Sequence, residues 1–237
     1  NRYTISGTIP KRKDRYRLYL SIARPDSLFI TDLQEKFQTA GIEVKNSNLG
    51  QLPETTWFHY PSDYLGDIVH SLNVRSDNLY AESVLRLLSL SDHEKGSAEK
   101  GIDIIRKYWQ NYEADSLELF MYDGSGLARN NKVSAKYLNC VLKETARDSL
   151  IGEYFVQTLP LAGKEGSVAT FMKHRELPGE LRLKSGSMSD VHAYAGYYTT
   201  PQNRYAIVVM INNYTCTRAQ LKQKISTLLT QVLSKKE

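Results

Sequence analysis

Cysteine and long apolar runs are both scarce in this sequence, and each absence excludes a class of protein. The two cysteines among 237 residues, Cys140 and Cys216, are too few for a disulfide framework and lack the spacing of a metal site. No apolar stretch approaches the ~18 residues of a membrane-spanning helix. Neither an initiator methionine nor a signal-peptide pattern opens the chain, so we expect a mature form or a fragment of a globular protein.

Patterns for binding zinc or nucleic acid are also missing. The five histidines show no metal-ligand spacing such as His-x-x-x-His, so a zinc peptidase is not predicted. A net charge of +5 would suit an anionic partner such as a cell-wall polymer or a membrane surface. The basic residues are scattered, however, and no nucleic-acid module is present, so we do not expect nucleic acid as a partner.

Apolar periodicity predicts a chain with helices in its middle and strands near its end. Helical spacing begins after Pro25 and ends at Gly41, and it returns in four later stretches. An alternating pattern over the first twenty residues predicts a hairpin, and Ile42 with Val44 indicates a strand. The first of the four later predicted helices opens at Pro61-Ser62-Asp63 and ends before Ser76, and the others are Leu79–Leu90, Ile102–Trp109 and Ser134–Leu142.

From Leu181 the apolar period changes from about four residues to two. Three neighbouring stretches with short connections predict an antiparallel meander. Thr217 is predicted to cap a final helix whose apolar side covers the sheet. The predicted fold class is therefore α+β, with a helical subdomain beside a helix-flanked antiparallel sheet. The inward positions of the final helix are predicted to be Leu221, Ile225, Leu228, Leu229 and Val232.

Two short motifs about a hundred residues apart carry the functional signal. They are Ser76-Asp77-Asn78 and Lys184-Ser185-Gly186-Ser187. In penicillin-interacting serine enzymes, Ser-x-x-Lys, Ser-x-Asn and Lys-Thr/Ser-Gly occur in this chain order. No Ser-x-x-Lys stands upstream of Ser76. The sequence thus contains most of an active site without its attacking serine, and we expect a fragment.

With two further segments, Tyr122–Asn130 and Leu159–Ser167, the chain resembles the class C low-molecular-mass penicillin-binding proteins. These are serine D-alanyl-D-alanine carboxypeptidases and endopeptidases, and the resemblance runs from roughly Pro25 to Asn213. It implies a serine β-lactamase/transpeptidase-like fold and no cofactor. It also implies that residues 1–24 are closing strands of an inserted domain and that residues 25–237 are the C-terminal part of the catalytic domain.

The strand motif has the chemistry to hold a substrate carboxylate. The Lys184 ammonium offers a compact positive charge, and Ser185 and Ser187 add hydroxyl donors that share a face of the strand. Gly186 has no Cβ, so a substrate backbone can approach the strand there. The backbone N–H of Ser187 is predicted to be one oxyanion donor.

The resemblance assigns the remaining roles. Ser76 would relay a proton to the leaving D-alanine nitrogen, and Asn78 would hydrogen-bond the substrate amide. Ser125 or Leu127 would face substrate across the cleft, while a purely structural turn explains the Asp-Gly-Ser-Gly segment equally well. Asp77 is interpreted as a local helix cap.

Ordinary structural explanations exist for several of these residues. Each motif alone would be read as a turn or a cap. The one Ser-x-x-Lys in the chain, Ser97 to Lys100, stands downstream of Ser76 and is interpreted as a helix-entry loop. For His192, just past the strand motif, an exposed turn residue is favoured over a contact with the cleft. Packing of the final helix on the sheet is favoured over contact with a membrane through Lys222, Lys224, Lys235 and Lys236, and membrane association stays open.

Three functional hypotheses follow. The first is a serine carboxypeptidase that trims peptidoglycan in the bacterial periplasm or cell envelope. The same active site is compatible with an endopeptidase activity. Its partners would be peptidoglycan stem peptides, β-lactams and a missing N-terminal segment of the same protein. The second is a non-catalytic peptidoglycan- or partner-binding pseudoenzyme. The third is a β-lactamase or esterase of the same fold.

Overall fold

The computed structural model describes residue 8 and residues 22–43, 59–91, 95–112 and 118–235. The chain forms two units, residues 1–59 and 60–237. The hairpin predicted in the first twenty residues lies outside the described residues, and the proposed domain boundary at residue 24 stays a prediction. Ile42 is not in a strand, so that prediction is wrong at this residue, and Val44 lies outside the described residues.

The described part of the first unit contains helix α1, Pro25–Thr39. Proline near the start has its φ already set for a helix. At the other end, Gly41 has φ +72°, and the N–H groups of Gly41 and Ile42 bond to the carbonyls of Gln38 and Phe37. These reverse bonds satisfy the last carbonyls of the helix, which confirms the predicted helix and its glycine end.

The second unit begins with helices, as predicted, but the first of them starts at Leu65, so the predicted opening at Pro61-Ser62-Asp63 is wrong. Ser97 and Ser134 cap the N-termini of two of them through side-chain oxygens that accept N–H groups one turn on. The helix Gly152–Thr158 and a two-stranded hairpin were not predicted, because elements this short leave little periodicity in a sequence. The elements are α2 Leu65–Arg75, α3 Asn78–Leu87, α4 Ala98–Trp109, β1 Leu119–Phe120, β2 Lys132–Val133, α5 Ala135–Arg147 and α6 Gly152–Thr158, followed by a 3-10 turn at Gly166–Val168.

The predicted meander is confirmed. Strands β3 (Glu180–Met188), β4 (Val191–Thr199) and β5 (Arg204–Asn212) form an antiparallel sheet in the order β3-β4-β5. In this order, strand β3, which contains the lysine motif, is at one edge of the sheet. The register places Lys184 opposite Ala195 on β4.

Helix α7, Arg218–Leu233, covers one face of the sheet. Thr217 and Gln220 form a capping box at its start, which confirms the predicted cap. Its buried residues include Leu221, Ile225, Leu229 and Leu233. The prediction that Leu228 and Val232 point inward is wrong: they are 54% and 47% exposed, because the buried stripe follows every fourth residue.

Aromatic and aliphatic side chains fill both faces of the sheet. Leu183, Tyr194 and Tyr198 pack with the inner side of α7, while Tyr197 packs on the other face with Leu142 of α5. The Tyr197 hydroxyl donates to the carbonyl oxygen of Leu142 at 2.7 Å. Burial of the two faces fixes the direction in which each β3 side chain points, and so aims the lysine motif.

No helix in the described part of the chain combines the length and apolar character needed to cross a bilayer. Cys140 on α5 and Cys216 before α7 are both half-buried, and no disulfide joins them. Cys216 packs against the core beneath α7, as expected of a small apolar side chain.

Candidate catalytic site

Ser76 occupies the junction between α2 and α3. It follows the last residue of α2 and has the left-handed conformation, φ 55° and ψ 51°, which is uncommon for a residue with a Cβ. Asp77 then caps α3, because its Oδ1 accepts the N–H of Tyr80 at 3.1 Å. Asn78 is the first residue of α3 and is exposed. The cap interpretation of Asp77 is thus confirmed, and two helix ends fix the Ser-Asp-Asn motif.

Lys184 on β3 meets this junction. Its Nζ donates to Ser76 Oγ at 2.7 Å and to the carbonyl oxygen of Ser185 at 2.9 Å. Burial lowers the pKa of Lys184 below its usual value of 10.5, because the charged form loses hydration. A lysine that releases its proton more readily, hydrogen-bonded to a hydroxyl, can move a proton through that hydroxyl.

Side chains outside both motifs hold α2 near β3. The buried amide of Asn73 donates from Nδ2 to Thr158 Oγ1 at 2.9 Å, which ties the last turn of α2 to α6. Gly166 has φ +50°, and a Cβ there would overlap the carbonyl oxygen of Val74. The contact between the 3-10 turn and the end of α2 therefore requires glycine. Sequence reasoning did not identify Asn73 or Gly166 as site-forming residues.

The outer edge of β3 is divided into two halves. The first half bonds to the segment after α6: Leu183 N–H donates to the Pro160 carbonyl at 3.0 Å, and Ala162 N–H donates to the Leu181 carbonyl at 2.8 Å. Within the described ranges, no strand pairs with the outer edge of residues 184–188. Backbone groups alternate along a strand, so the N–H of Ser187 faces the same outer side as that of Leu183.

The serines and glycine of the strand motif have different surroundings. Ser185 Oγ lies 2.7 Å from Ser167 Oγ, in the segment that precedes the strand. Ser187 and Gly186 are exposed, and a Cβ on Gly186 would have no heavy atom within 4 Å. The open half of β3 thus offers hydroxyl and backbone donors beside Lys184.

The Asp-Gly-Ser-Gly segment forms a tightly bonded loop. Asp123 Oδ1 accepts the N–H of Gly126 and the Asn131 side-chain amide, both at 2.8 Å, and its Oδ2 accepts the N–H of Ala128 at 2.6 Å. These bonds confirm the predicted turn. Leu127 in this loop is 60% exposed, and Ser125 is half-buried.

The structure joins the two motifs directly but not every predicted site residue. Ser76, Lys184 and the Ser185 carbonyl form one hydrogen-bonded group. Within the described part of the chain, no side-chain hydrogen bond links Asn78, Ser187, Ser125 or Leu127 to that group. Their substrate-facing roles remain proposals.

Two alternative candidates have structural explanations. Ser97 Oγ accepts the N–H of Lys100 at the start of α4, so the downstream Ser-x-x-Lys forms a helix entry, as interpreted. His192 is 2% exposed on β4 and packs edge-on against Tyr194, so the prediction of an exposed turn residue is wrong. Among the described residues, no cluster of three or more His, Cys, Asp or Glu side chains could hold a metal ion, and the expectation of no cofactor stays a prediction.

Comparison with solved structures shows which fold this is. The chain is similar to penicillin-binding protein 4 (dacB) from Haemophilus influenzae, with a TM-score of 0.73 and 23% identity over 90% of this chain and 50% of that one. It is also similar to the Bd3459 predatory endopeptidase from Bdellovibrio bacteriovorus, with a TM-score of 0.59 and 19% identity over 88% of this chain and 56% of that one. The fold is that of the penicillin-binding serine enzymes, as predicted.

Sequence comparison then shows the family. The chain belongs to the D-Ala-D-Ala carboxypeptidase 3 (S13) family, whose profile matches residues 1–235. It is 25% identical to the D-alanyl-D-alanine carboxypeptidase DacB of Haemophilus influenzae, over 97% of this chain and 49% of that protein. It is 24% identical to the D-alanyl-D-alanine carboxypeptidase of Actinomadura sp. strain R39, over 90% and 42%. The chain thus spans about half the length of these curated relatives.

Proposed function

We propose that the full-length gene product, called the parent protein below, is a serine D-alanyl-D-alanine carboxypeptidase that trims peptidoglycan, with endopeptidase cleavage as a second reaction. Its place of work would be the bacterial periplasm or cell envelope. Its ligands would be peptidoglycan stem peptides and β-lactams. Membership of the S13 family supports this proposal, as does the description of two relatives as D-alanyl-D-alanine carboxypeptidases.

The observation that carries the proposal is the hydrogen bond between Lys184 and Ser76. It joins residues 108 positions apart in the chain, and both belong to motifs of penicillin-interacting enzymes. In the proposed reaction, a serine hydroxyl supplied from outside this chain attacks the carbonyl carbon before the terminal D-alanine. The C–N bond breaks, and the hydroxyl proton passes through Ser76 to the leaving nitrogen. Water then hydrolyses the ester.

The open half of β3 would bind the substrate during this reaction. Lys184 and the hydroxyls of Ser185 and Ser187 would hold the terminal carboxylate through charge-assisted hydrogen bonds. The N–H of Ser187 would stabilise the oxyanion, and Gly186 would leave room for the substrate backbone. Asn78 would bind the substrate amide, and Ser125 and Leu127 would line the opposite wall.

A second candidate function is a non-catalytic domain that binds peptidoglycan or a partner protein. It differs from the first candidate in one respect: the parent protein of a pseudoenzyme would carry no Ser-x-x-Lys motif before Ser76. In such a pseudoenzyme the cleft would bind stem peptides without an acyl-enzyme. An esterase or β-lactamase of the same fold is distinguished by rapid release of the acyl group.

Intact-mass measurement of the parent protein with and without a β-lactam tests these candidates. The expected result is a gain of one drug mass that persists over hours and disappears when the serine of a Ser-x-x-Lys in the parent is changed to alanine. The 237-residue chain alone should gain no mass, because it lacks the attacking group. No adduct on the parent would favour the pseudoenzyme, and an adduct lost within seconds would favour the β-lactamase.

A further inference from the structure

Glu82 lies on the same face of α3 as Asn78, one turn further along the helix. Residues four apart on a helix are neighbours, and the next residue on this face is Arg86. Glu82 Oε2 accepts a hydrogen bond from Arg86 Nη1 at 2.9 Å, and 26% of its side-chain surface is exposed. The roles proposed above leave this carboxylate unused.

The other oxygen of Glu82 holds the Asp-Gly-Ser-Gly loop. Oε1 accepts the backbone N–H groups of Gly124 and Ser125, each at 3.0 Å. Two consecutive N–H donors on one carboxylate oxygen make a charge-assisted anchor that fixes both the position and the direction of the loop backbone. The contact spans more than forty residues of sequence, so no local turn pattern encodes it.

Close packing shows that the loop lies directly on the helix. A Cβ added to Gly124 would be 2.5 Å from the carbonyl oxygen of Ala81, so only glycine fits there without a shift. Burial acts to raise the pKa of Glu82, but the hydrogen bonds from Arg86, Ser125 and Gly124 outweigh it and lower the pKa. The carboxylate therefore stays ionised and keeps both of its attachments.

We propose that Glu82 is a positioning residue for substrate binding. Glu82 ties the loop of residues 123–127 to α3. The helix, which carries Asn78, and the loop, which carries Leu127, therefore keep a fixed position relative to each other. Hydrogen bonds from backbone N–H groups of the loop to the Asp123 carboxylate keep the loop itself rigid. The bonds to Glu82 therefore determine the position of the whole loop relative to α3. This inference rests on the proposed function, because it assigns Asn78 and the loop to the substrate cleft.

The test uses the parent protein and five variants, of which Glu82→Gln is the conservative one. Glu82→Ala removes both attachments, and Arg86→Ala removes only the contact within the helix. Gly124→Ala disturbs the same anchor from the side of the loop. Glu144→Ala is the matched control, since Glu144 also has 26% side-chain exposure and pairs with an arginine of its own helix at 2.7 Å. Each variant is assayed for its acylation rate by a β-lactam, for kcat and KM with a D-Ala-D-Ala peptide, and for hydrogen exchange of residues 123–128.

We expect Glu82→Ala and Gly124→Ala to slow acylation by about tenfold or more, since displacing a wall of the site by 1 Å can cost about a hundredfold. Exchange of the Gly124 and Ser125 amides should speed up in Glu82→Ala. Glu144→Ala and Arg86→Ala should stay within about twofold of the unchanged protein. Glu82→Gln keeps an oxygen that accepts both N–H groups and should restore most of the rate.

Two results would overturn the inference. One is Glu82→Ala acylating within about twofold of Glu144→Ala. The other is slow acylation with unchanged exchange of the loop, because the effect would then not pass through the anchor. If the unchanged parent protein shows no acylation at all, the proposed function fails instead, and the exchange measurement still shows whether Glu82 anchors the loop.

Discussion

A serine in an uncommon backbone conformation and a half-buried lysine meet at the centre of this site. Ser76 has φ 55°, and bulkier or β-branched residues would fit there less well. Such a conformation persists where the surrounding structure over-determines it, and here α2 and α3 fix Ser76 from both sides. In this conformation the Ser76 hydroxyl accepts the hydrogen bond from Lys184.

The first prediction concerns Ser76 and its neighbour in the motif. Ser76→Ala in the parent protein should lower kcat for a D-Ala-D-Ala peptide by about a hundredfold, the scale of one proton-transfer group. Asp77→Ala is the control, because it removes only the cap of α3 and should cost about 1 kcal/mol of stability with kcat unchanged. Steady-state kinetics and thermal melting distinguish the two effects. Equal kcat for Ser76→Ala and the parent protein would refute a relay through this hydroxyl.

The second prediction concerns the charge of Lys184. The pKa of Lys184 in the folded protein lies below 10.5, the usual value that applies to the unfolded chain. At a pH between these two pKa values, the unfolded chain binds more protons than the folded one. The free energy of unfolding therefore rises with pH in that range. Lys184→Met removes this titration. We therefore expect the melting temperature of Lys184→Met, relative to that of the parent protein, to be higher at pH 7 than at pH 10. A difference that is the same at both pH values would contradict the lowered pKa.

The third prediction separates folding from substrate access at Gly186. A Cβ there meets no heavy atom within 4 Å, and alanine in place of glycine in a strand gains about 0.5–1 kcal/mol. Gly186→Ala should therefore melt no lower than the parent protein. Its acylation by a β-lactam should slow by about tenfold, because the methyl group stands where the substrate backbone approaches the strand. Unchanged acylation would show that substrate does not pass over this residue.

At the scale of elements, the distance between α2 and β3 controls whether Lys184 can reach Ser76. Asn73 ties α2 to α6, the Pro160–Ala162 segment ties α6 to β3, and Gly166 lets the 3-10 turn touch α2. Each attachment is a hydrogen bond or a close backbone contact. We expect that loosening one of them displaces Ser76 relative to Lys184 before the unit unfolds.

The fourth prediction tests this at Gly166. Gly166→Ala should destabilise the parent protein by about 1–3 kcal/mol, because the new Cβ overlaps the Val74 carbonyl and the residue has a positive φ. It should also slow acylation, since Ser76 follows Val74 by two residues. Gly41→Ala, after the end of α1, is a matched control with a positive φ but open space around its Cβ, so it bears only the conformational cost. Similar rates for the two variants would contradict a role of the Val74 contact.

The sequence predicted the elements with strong periodicity and missed what depends on long-range packing. Strand β3 alternates apolar and polar residues, β4 and β5 are rich in aromatic or β-branched residues, and Thr217 is a recognisable cap, so the meander and helix α7 were predictable. Helix α6 has seven residues and leaves almost no periodic signal. Lys184 and Ser76 could be named from motifs, whereas Asn73, Gly166 and Glu82 owe their roles to partners at least 42 residues away. No local pattern marks such partners.

At the scale of the whole molecule, the core between the sheet and α7 depends on a neutral histidine. His192 is buried on β4 with no hydrogen-bond partner on either ring nitrogen in the structure. Burial lowers its pKa below 6.5, and the charges of Lys222 and Arg218 lower it further. Protonation would place an unpaired charge beneath α7 near two other cations, which the fold resists by holding the ring neutral.

This arrangement predicts acid sensitivity with a defined sign. The pKa of His192 in the folded protein is below 6.5, the usual value that applies to the unfolded chain. At a pH between these two pKa values, the unfolded chain binds more protons than the folded one. The free energy of unfolding therefore falls as the pH drops through that range. His192→Gln in the parent protein should lose less of its melting temperature between pH 7 and pH 5 than the unchanged protein. His174→Gln, at an exposed position, should follow the unchanged protein. If His192→Gln and His174→Gln show the same loss, the acid response comes from other groups, and the buried ring does not limit the stability of the molecule.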